Sequence, residues 1–577
     1  QALSPALTAP ALWFGPVQNG KVQMYSASVS TYPDSSSSQI FLQNLSRKDD
    51  TSKPGRYSLK PLSTSEIKSK EPTFTGRQTV IRLDGGVQQI KLQGNEVTSF
   101  NVNNGNNTFG IVKDLGVDPD ASEWKKVLLP WTVRASNDDN QFKTINQQLN
   151  QQKIQYSQRY RIRDNGNRDL GDIVNSPIVA VGEYLATSAN DGMVHIFKQS
   201  GGDKRSYNLK LSYIPGTMPR QYFDNDTSAL KDSTLAKELR TFAEKGYVGD
   251  RYGVDGGFVL RKVERNGKDH VFMFGAMGFG GRGAYALDLT KADGSDPTAV
   301  SLFDVKNDNN GKNSNNSNNS VELGYTVGTP QIGKTHNGKY AAFLASGYAT
   351  KDINNGDNKT ALYVYDLESS GTLIKKIEVP NSKGGLSSPT LVDKDLDGIV
   401  DIAYAGDRGG NMYRFDLSGQ DPNQWSVRTI FSGNKPITSA PAISQLKDKR
   451  VVIFGTGSDL SEEDVLSTDE QHIYGIFDDD TATTGSVNFS GLGGGLLEQE
   501  LKQEGKTLFL TDYKRSDGSG NKGWVVKLKE GQRVTVKPTV VLRTAFVTIH
   551  KYTGTDKCGA ETAILGINTA DGGKLTK

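Results

Sequence analysis

The sequence predicts a mainly β fold, namely a β-propeller with helical and loop insertions. A unit of three short apolar strands recurs six times between about residue 170 and the end of the chain. Small residues follow the second strand of each unit, and tight turns separate the strands. Radial repetition of such units leaves only short protected edges, and small residues let the blades converge on an axis. We therefore expect the six blade-like repeats to belong to a propeller of seven blades.

The propeller is expected to occupy residues 166–577. Each unit opens on a short apolar strand, often preceded by Ser-Pro or Thr-Pro, and its third strand ends near an acidic residue in most units. An Asn-rich insertion at residues 307–320 has no capacity to form a packed core. Short regular strands also permit a pair of β-sandwiches, which is the alternative fold. The six units begin near Asn175, Asp255, Val327, Ser387, Ser439 and Val536.

Residues 1–165 form a mixed segment that we expect to lead into the propeller or to complete it. The runs "QTVIRL" (Gln78–Leu83) and "VQQIKL" (residues 87–92) are separated by Asp-Gly-Gly and predict a β-hairpin. Apolar residues near helical spacing predict one helix at residues 141–156 and another at residues 233–245. These helices are expected to decorate a structure built of strands.

Composition excludes two function classes. The chain has 577 residues, with 68 Lys and Arg against 65 Asp and Glu, so the net charge is only +3. A nucleic-acid-binding protein normally shows a basic excess or stripe, and none stands out here. No run of about 18 apolar residues occurs, so no segment is predicted to span a bilayer. The single cysteine, Cys558, excludes an intramolecular disulfide and is expected to be at least half-buried, with an intermolecular disulfide as the alternative.

The stretch "DKDLDGIVD" crowds four aspartates into nine residues, 393–401, which we call the aspartate loop. Alternate placement lets the first three carboxylates converge, and glycine at position 6 permits the sharp turn between them. Hard oxygen ligands at this spacing suit Ca²⁺, and without a cation the carboxylates would repel one another. The predicted calcium ligands are Asp393, Asp395, Asp397, the backbone carbonyl of Ile399, and Asp401.

The aspartate loop differs from an EF-hand. Position 12 is Tyr404 where an EF-hand has Glu, and the flanking residues alternate like strands and lack helical spacing. Asp401 at position 9 would therefore have to close the ligand shell. The arrangement resembles the calcium hairpins between the strands of integrin-type propellers. A solvated acidic turn without a metal is the alternative.

No catalytic residues are predicted. The five histidines lie in separate units, and the chain lacks a His-x-x-x-His pair, a G-x-S-x-G elbow and a P-loop. A quinoprotein-type propeller enzyme is the alternative, but its typical site uses an adjacent cysteine pair and a tryptophan platform. This chain has one cysteine, and its five tryptophans lie outside the repeat positions. We therefore expect a non-enzymatic protein whose cofactor is Ca²⁺.

Two segments resemble the PilC/PilY family of type IV pilus biogenesis and adhesion proteins. They are "RDLGDIVNSPIVAVG" (residues 168–182) and "LVDKDLDGIVDIAYAGDRGGNMYRFDL" (residues 391–417). The Asn-rich insertions and the closing stretch at residues 537–568 fit the PilC branch. The resemblance covers about residue 165 to the end of the chain. It implies the C-terminal β-propeller region of such a protein, so the chain is expected to be one part of a longer polypeptide.

The resemblance also implies a function. The family promotes pilus extension or opposes retraction and supports adhesion to host cells, and its calcium loop controls this balance. That motif maps onto Asp393, Asp395, Asp397, Ile399 and Asp401. The implied partners are minor or major pilins and a host receptor. The implied location is the cell surface, the outer membrane or the pilus, with peripheral membrane association and a signal peptide outside this chain.

One activity of the family is not expected here. Some relatives bind integrins through an Arg-Gly-Asp tripeptide, and this sequence contains none. A direct host-receptor adhesin with purely structural calcium remains the alternative function.

Overall fold

A computed structural model of the chain separates into two compact units, Gln1–Lys306 and Asn307–Lys577, and each is described by itself. For the strands β1–β4, β7–β9, β14 and β15, whose bounds follow, only the backbone is described. The described residues are otherwise 77–83, 86–93, 133, 177–189, 191–200, 207–217, 253–307, 320–351, 359–382, 384–481, 486–488, 495–514 and 520–575.

The unit Gln1–Lys306 consists mainly of antiparallel strands. A four-stranded sheet has the order β1-β2-β3-β4, and the first two predicted repeats form the sheets β10-β11-β12-β13 and β16-β17-β18-β19. Two 3₁₀ helices, Leu289–Lys291 and Pro297–Val300, precede β19. The strands are β1 (Ala11–Phe14), β2 (Met24–Thr31), β3 (Ser38–Asp49), β4 (Tyr57–Lys60), β5 (Gln78–Leu83), β6 (Gly86–Gln93), β7 (Glu96–Thr98), β8 (Leu149–Asn150), β9 (Lys153–Ile154), β10 (Val179–Val181), β11 (Tyr184–Ser188), β12 (Val194–Gln199), β13 (Tyr207–Ile214), β14 (Gln221–Asp224), β15 (Ala229–Asp232), β16 (Phe258–Arg265), β17 (Lys268–Ala276), β18 (Gly283–Asp288) and β19 (Ser301–Lys306).

The unit Asn307–Lys577 contains the other four repeats. They form the sheets β20-β21-β22-β23, β24-β25-β26-β27, β28-β29-β30-β34 and β35-β36-β37; β31 extends the second of these, and β32 and β33 extend the third. A 3₁₀ helix spans Pro422–Gln424, and the short helix α1 spans Glu462–Leu466. The strands are β20 (Gln331–Lys334), β21 (Tyr340–Ala345), β22 (Ala361–Asp366), β23 (Leu373–Glu378), β24 (Thr390–Val392), β25 (Ile402–Gly406), β26 (Asn411–Asp416), β27 (Ser426–Ser432), β28 (Ala442–Gln445), β29 (Arg450–Gly455), β30 (His472–Asp478), β31 (Val487–Asn488), β32 (Leu496–Glu504), β33 (Thr507–Leu510), β34 (Gly523–Lys527), β35 (Thr539–Val541), β36 (Thr544–Thr553) and β37 (Gly559–Asn568).

Successive sheets of this second unit pack face to face through apolar side chains. Phe343 and Val364 on one sheet share a buried cluster with Ala403 and Phe415 on the next. Corresponding clusters join the third sheet to the second and to the fourth. Because both faces of the middle strands are covered, β22 and β29 are buried at every position and lose the alternation of a half-exposed strand. This packing fixes the hairpins that project from neighbouring sheets.

The repeat prediction is confirmed for every unit, because each of the six forms its own sheet in the expected strand order. Sequence reasoning missed a fourth strand in five of the six sheets, namely β13, β19, β23, β27 and β34. In four sheets the pairing of the third and fourth strands shifts register once, as at Met412/Tyr413. Such a recurring bulge is consistent with repetition of one structural unit.

The N-terminal predictions have mixed outcomes. The hairpin of β5 and β6 is confirmed, and through a parallel pairing of β5 with β13 it extends the sheet of the first repeat. The helix predicted at residues 141–156 is wrong where that segment is described, because β8 and β9 form an antiparallel pair there. The helix predicted at residues 233–245 lies outside the described residues, and so do most of the Asn-rich insertion and residues 155–176. The boundary at residue 165 and the number of blades therefore stay predictions.

Cys558 is exposed, so the expectation of a half-buried or buried thiol was wrong. It lies in the turn between β36 and β37, where its backbone N–H donates to the side chain of Asp556 over 3.2 Å. A turn at the end of a hairpin has no core against which the thiol could pack. No helix among the described residues is long and apolar enough to cross a membrane.

Candidate metal centre

The aspartate loop connects β24 to β25 in the second sheet of its unit. It has nine residues, 393–401, whereas the connections at the corresponding place in the other repeats range from two residues (182–183) to five (335–339). A strand pair needs only two residues to reverse direction. The extra length of the aspartate loop therefore serves something other than closing the hairpin.

Three of the four predicted carboxylates come together. Asp393, Asp397 and Asp401 each offer one oxygen atom, and these three atoms all lie within 4.8 Å of one another. Asp395, at the third position of the motif, lies outside this set and is exposed. The pKa of Asp395 is raised, mainly by desolvation and secondly by the negative charges of Asp401 and Asp397. The Asp395 carboxylate therefore interacts electrostatically with the cluster.

Backbone N–H groups shape the turn around the first two carboxylates. The two oxygens of Asp393 accept from the N–H of Asp397 (3.2 Å) and of Gly398 (2.7 Å). Oδ1 of Asp397 accepts from the N–H of Ile399 over 3.0 Å. Desolvation acts to raise the pKa of Asp393, but these N–H donors outweigh it and hold the pKa below its usual range. Asp393 is therefore ionised over the whole physiological range.

The tight curvature of the loop depends on two residues in the left-handed region. Gly398 has φ of 84°, and no atom lies within 4 Å of the place where a Cβ would be. Leu396 has φ of 58°, an uncommon value for a leucine, and is 89% exposed. Gly398 thus has the backbone conformation that its predicted role in the sharp turn requires.

Asp401 is the buried member of the cluster, with 2% of its surface exposed. Its Oδ2 accepts from the backbone N–H of Lys394 over 2.9 Å, and its Oδ1 accepts from Nε2 of His336 over 2.7 Å. His336 lies in the turn between β20 and β21, residues 335–339, which we call the histidine turn. Sequence reasoning missed His336, because a single histidine in a polar turn of another repeat carries no signal for this contact.

Backbone contacts join the same two connections. Lys334 at the end of β20 forms a parallel bridge with Ile399, and its carbonyl accepts from the N–H of Val400 over 2.8 Å. Ile399 is thereby held between the two sheets. Its carbonyl is the predicted fifth ligand, and that role stays a prediction.

The carboxylate set fits a hard divalent cation. Among the described residues, no lysine or arginine forms an ion pair with Asp393, Asp397 or Asp401, and the one basic contact is His336. Burying a carboxylate beside two others is costly unless a positive charge compensates it. Oxygen ligands in a flexible loop suit Ca²⁺, which takes six to eight of them.

A second cluster has the composition of a hydrolase triad but not its accessibility. His195 contacts Asp191 through Nε2 (2.9 Å) and Ser212 through Nδ1 (2.8 Å). All three residues are at most 1% exposed, so no substrate can reach the serine hydroxyl. We interpret this cluster as a buried hydrogen-bond network that stabilises the first repeat.

The comparisons with known proteins place these features in a family. The family described as the PilY1 beta-propeller domain matches residues 170–514, which is more than half of the chain and includes the aspartate loop. The chain belongs to this family. The predictions of a propeller fold and of a PilC/PilY resemblance are therefore confirmed.

Curated relatives of this PilY1-type chain carry names of the same kind. It is 30% identical over 411 residues to the type IV pilus biogenesis factor PilY1 of Pseudomonas aeruginosa strain UCBPP-PA14, covering 61% of this chain and 33% of that protein. It is 29% identical over 324 residues to a PilY1 homolog of Xylella fastidiosa, covering 51% of this chain and 19% of the homolog. The match thus spans a third or less of the length of these relatives.

Among solved structures, this PilY1-type chain is similar to the crystal structure of the P. aeruginosa PilY1 C-terminal domain. The TM-score is 0.48 at 24% identity, and the alignment covers 68% of this chain and 80% of that one.

Proposed function

We propose that the chain is a calcium-binding, non-enzymatic module of a type IV pilus biogenesis factor. The protein would promote pilus extension or oppose retraction and would support adhesion to host cells. Membership of the PilY1 beta-propeller family supports the pilus assignment, because the curated relatives are named type IV pilus biogenesis factors. Its partners would be pilins, and it would act at the cell surface or on the pilus, peripheral to the outer membrane.

One observation carries the calcium part of the proposal. The buried carboxylate of Asp401 lies within 4.8 Å of the oxygens of Asp393 and Asp397 and lacks a lysine or arginine partner among the described residues. Asp393, Asp397 and Asp401 would supply the first carboxylate oxygens, and Asp395 and the carbonyl of Ile399 would add to them. A bound Ca²⁺ would supply the positive charge that the cluster lacks.

Calcium would act by ordering the aspartate loop. Without a cation, repulsion among the carboxylates favours an open loop, whereas calcium selects the closed one, so binding shifts a population between two states. Extracellular calcium modules bind at about 10⁻⁴–10⁻³ M, which suits a protein exposed to millimolar calcium. The closed loop would present the surface that engages the pilus components.

The binding test uses the full chain with Asp393→Asn and Asp397→Asn together. We expect calorimetry to show loss of calcium binding while circular dichroism stays unchanged, because two of the three gathered carboxylates lose their charge. Asp479→Asn is the control, since Asp479 is exposed and lies outside the aspartate loop. If the double variant binds calcium with the affinity of the wild type, the proposed metal centre is wrong.

The functional test places the same double substitution in the complete protein in its bacterium. We expect fewer surface pili in calcium-containing medium, with normal numbers for Asp479→Asn. If pilus numbers stay normal while purified protein blocks attachment of bacteria to host cells, the chain is a direct host-receptor adhesin with structural calcium, and the biogenesis role is wrong.

A further inference from the structure

The aspartate loop does not stand alone, because a side chain from the neighbouring sheet holds its buried carboxylate. We propose that His336 is a positioning residue for the metal centre. Through His336, cation binding at the aspartate loop would also order the histidine turn, residues 335–339. This inference rests on the proposed calcium site and names a residue that the motif itself does not contain.

The hydrogen bonds of Asp401 fix the orientation of its carboxylate. An ionised carboxylate only accepts, so Nε2 of His336 must carry the proton in the 2.7 Å contact with Oδ1. The N–H of Lys394 holds the other oxygen over 2.9 Å. With a donor on each oxygen, the carboxylate plane is set before a cation arrives. Outer partners of this kind orient metal ligands, and their loss typically weakens metal binding about 10–100-fold.

Two backbone hydrogen bonds close the histidine turn around His336. The N–H of Thr335 donates to the carbonyl of Lys339 (2.9 Å), and the N–H of Gly338 donates to the carbonyl of Thr335 (3.0 Å). Thr335 is 1% exposed, and Gly338 has φ of 82°, which closes the turn without strain. His336 is thus carried on a short turn, and its imidazole reaches Asp401 only while this turn keeps its closed form.

Two contacts of different kinds join the aspartate loop to the end of β20 and the histidine turn that follows it. The backbone bond from Val400 to Lys334 joins their bases, and the bond from His336 to Asp401 joins their side chains. A cation that holds Asp401 therefore also restrains His336. Coupling of this kind is reciprocal, so the formed contact should in turn strengthen cation binding, and removing the imidazole should weaken that binding by at most the coupling factor.

A matched pair elsewhere in the same unit separates positioning from plain stabilisation. His550 contacts Oδ2 of Asp459 through Nε2 over 2.5 Å, and its side chain is 14% exposed, compared with 20% for His336. Asp459 does not belong to the carboxylate cluster. His550→Ala therefore removes an equivalent histidine–aspartate contact that has no connection to the aspartate loop.

The experiment measures calcium affinity by calorimetry on the full chain and its variants. We expect His336→Ala to weaken binding about 10-fold or more. His336→Gln should restore most of the affinity, because the glutamine amide can donate to Asp401. His550→Ala should bind as the parent does. In hydrogen exchange, calcium should protect the amides of the histidine turn in the parent and in His336→Gln but not in His336→Ala.

The outcomes distinguish the two proposals. If the parent binds no calcium, both the proposed metal centre and the role of His336 are overturned. If the parent binds and His336→Ala binds equally well, only the positioning role is overturned. Equal weakening in His336→Ala and His550→Ala also overturns it, since the effect would then be general destabilisation.

Discussion

Individual residues of the aspartate loop have separate roles that the motif alone does not distinguish. Asp393 caps the turn by accepting two backbone N–H groups, whereas Asp401 is buried and held from another sheet. Asp395 is exposed and lies outside the gathered set. The sequence predicted that the first three carboxylates of the motif converge and that Asp401 closes the ligand shell, because spacing shows which side chains can converge. It does not show which of them the neighbouring sheet buries.

Gly398 offers a test at this scale. We expect Gly398→Ala to lower the free energy of unfolding by roughly 1–2 kcal/mol, because a Cβ is strained at positive φ even without a steric clash. The same change should weaken calcium binding, because the turn that gathers the carboxylates relaxes. Chemical denaturation and calorimetry measure the two effects.

Gly267 is the matched control for that substitution. It also lies in a hairpin turn, has φ of 76° and has open space where a Cβ would be, with no atom within 4 Å. Gly267→Ala should cost a similar unfolding free energy and leave calcium affinity unchanged. Equal loss of affinity in both variants would contradict a specific role for Gly398.

At the scale of strands and turns, the sequence predicted what is local. The first three strands of each repeat could be recognised from apolar runs and turn residues. The aspartate loop could be recognised from its four aspartates. The fourth strands were missed because several, such as Leu373–Glu378, mix lysines with apolar residues. Another, Gly523–Lys527, is separated from its partner strand by a long insertion. The contact of His336 with Asp401 spans 65 positions and could not be predicted from spacing.

An ion-pair network between neighbouring sheets gives a further example of non-local structure. Asp480 accepts from Arg450 over 2.6 Å and from Arg414 over 2.8 Å, and the nearby Asp478 accepts from Arg428 over 3.1 Å. The arginines come from β26, β27 and β29, so the network joins strands of two sheets. Asp478 is buried.

This network predicts a defined loss of stability in acid. Burial acts to raise the pKa of Asp480, but hydrogen bonds from Arg450 and Arg414 outweigh it and lower the pKa to about 2 from an ordinary value of 3.8. A depressed carboxyl pKa stabilises the fold above the unfolded value, and this contribution is lost as the pH falls through about 2. We expect Asp480→Asn to have a lower free energy of unfolding than the parent chain at pH 5. Between pH 4 and pH 2, the free energy of unfolding of this variant should decrease less than that of the parent.

Urea denaturation at several pH values measures this effect. Asp448→Asn is the control, because Asp448 is exposed and forms no ion pair among the described residues. It should show the same acid dependence as the parent chain. If Asp480→Asn also keeps the full acid dependence of the parent, the network does not set the acid stability of this region.

At the scale of the whole molecule, family membership and fold agree with what the repeats predicted. Six units occur as six sheets, and the PilY1 beta-propeller family covers most of them. The number of blades and the domain boundary could not be predicted firmly, because they depend on pairing between segments distant in sequence. The biological role rests on the relatives, whereas the calcium chemistry rests on residues of this chain.

The most direct test of the central claim is a crystal structure of the chain grown with millimolar calcium and measured for anomalous scattering. We predict an anomalous peak at the aspartate loop, with oxygens of Asp393, Asp397 and Asp401 at about 2.3–2.6 Å from it. Well-defined density for the loop with no peak between these carboxylates would contradict the proposed calcium site.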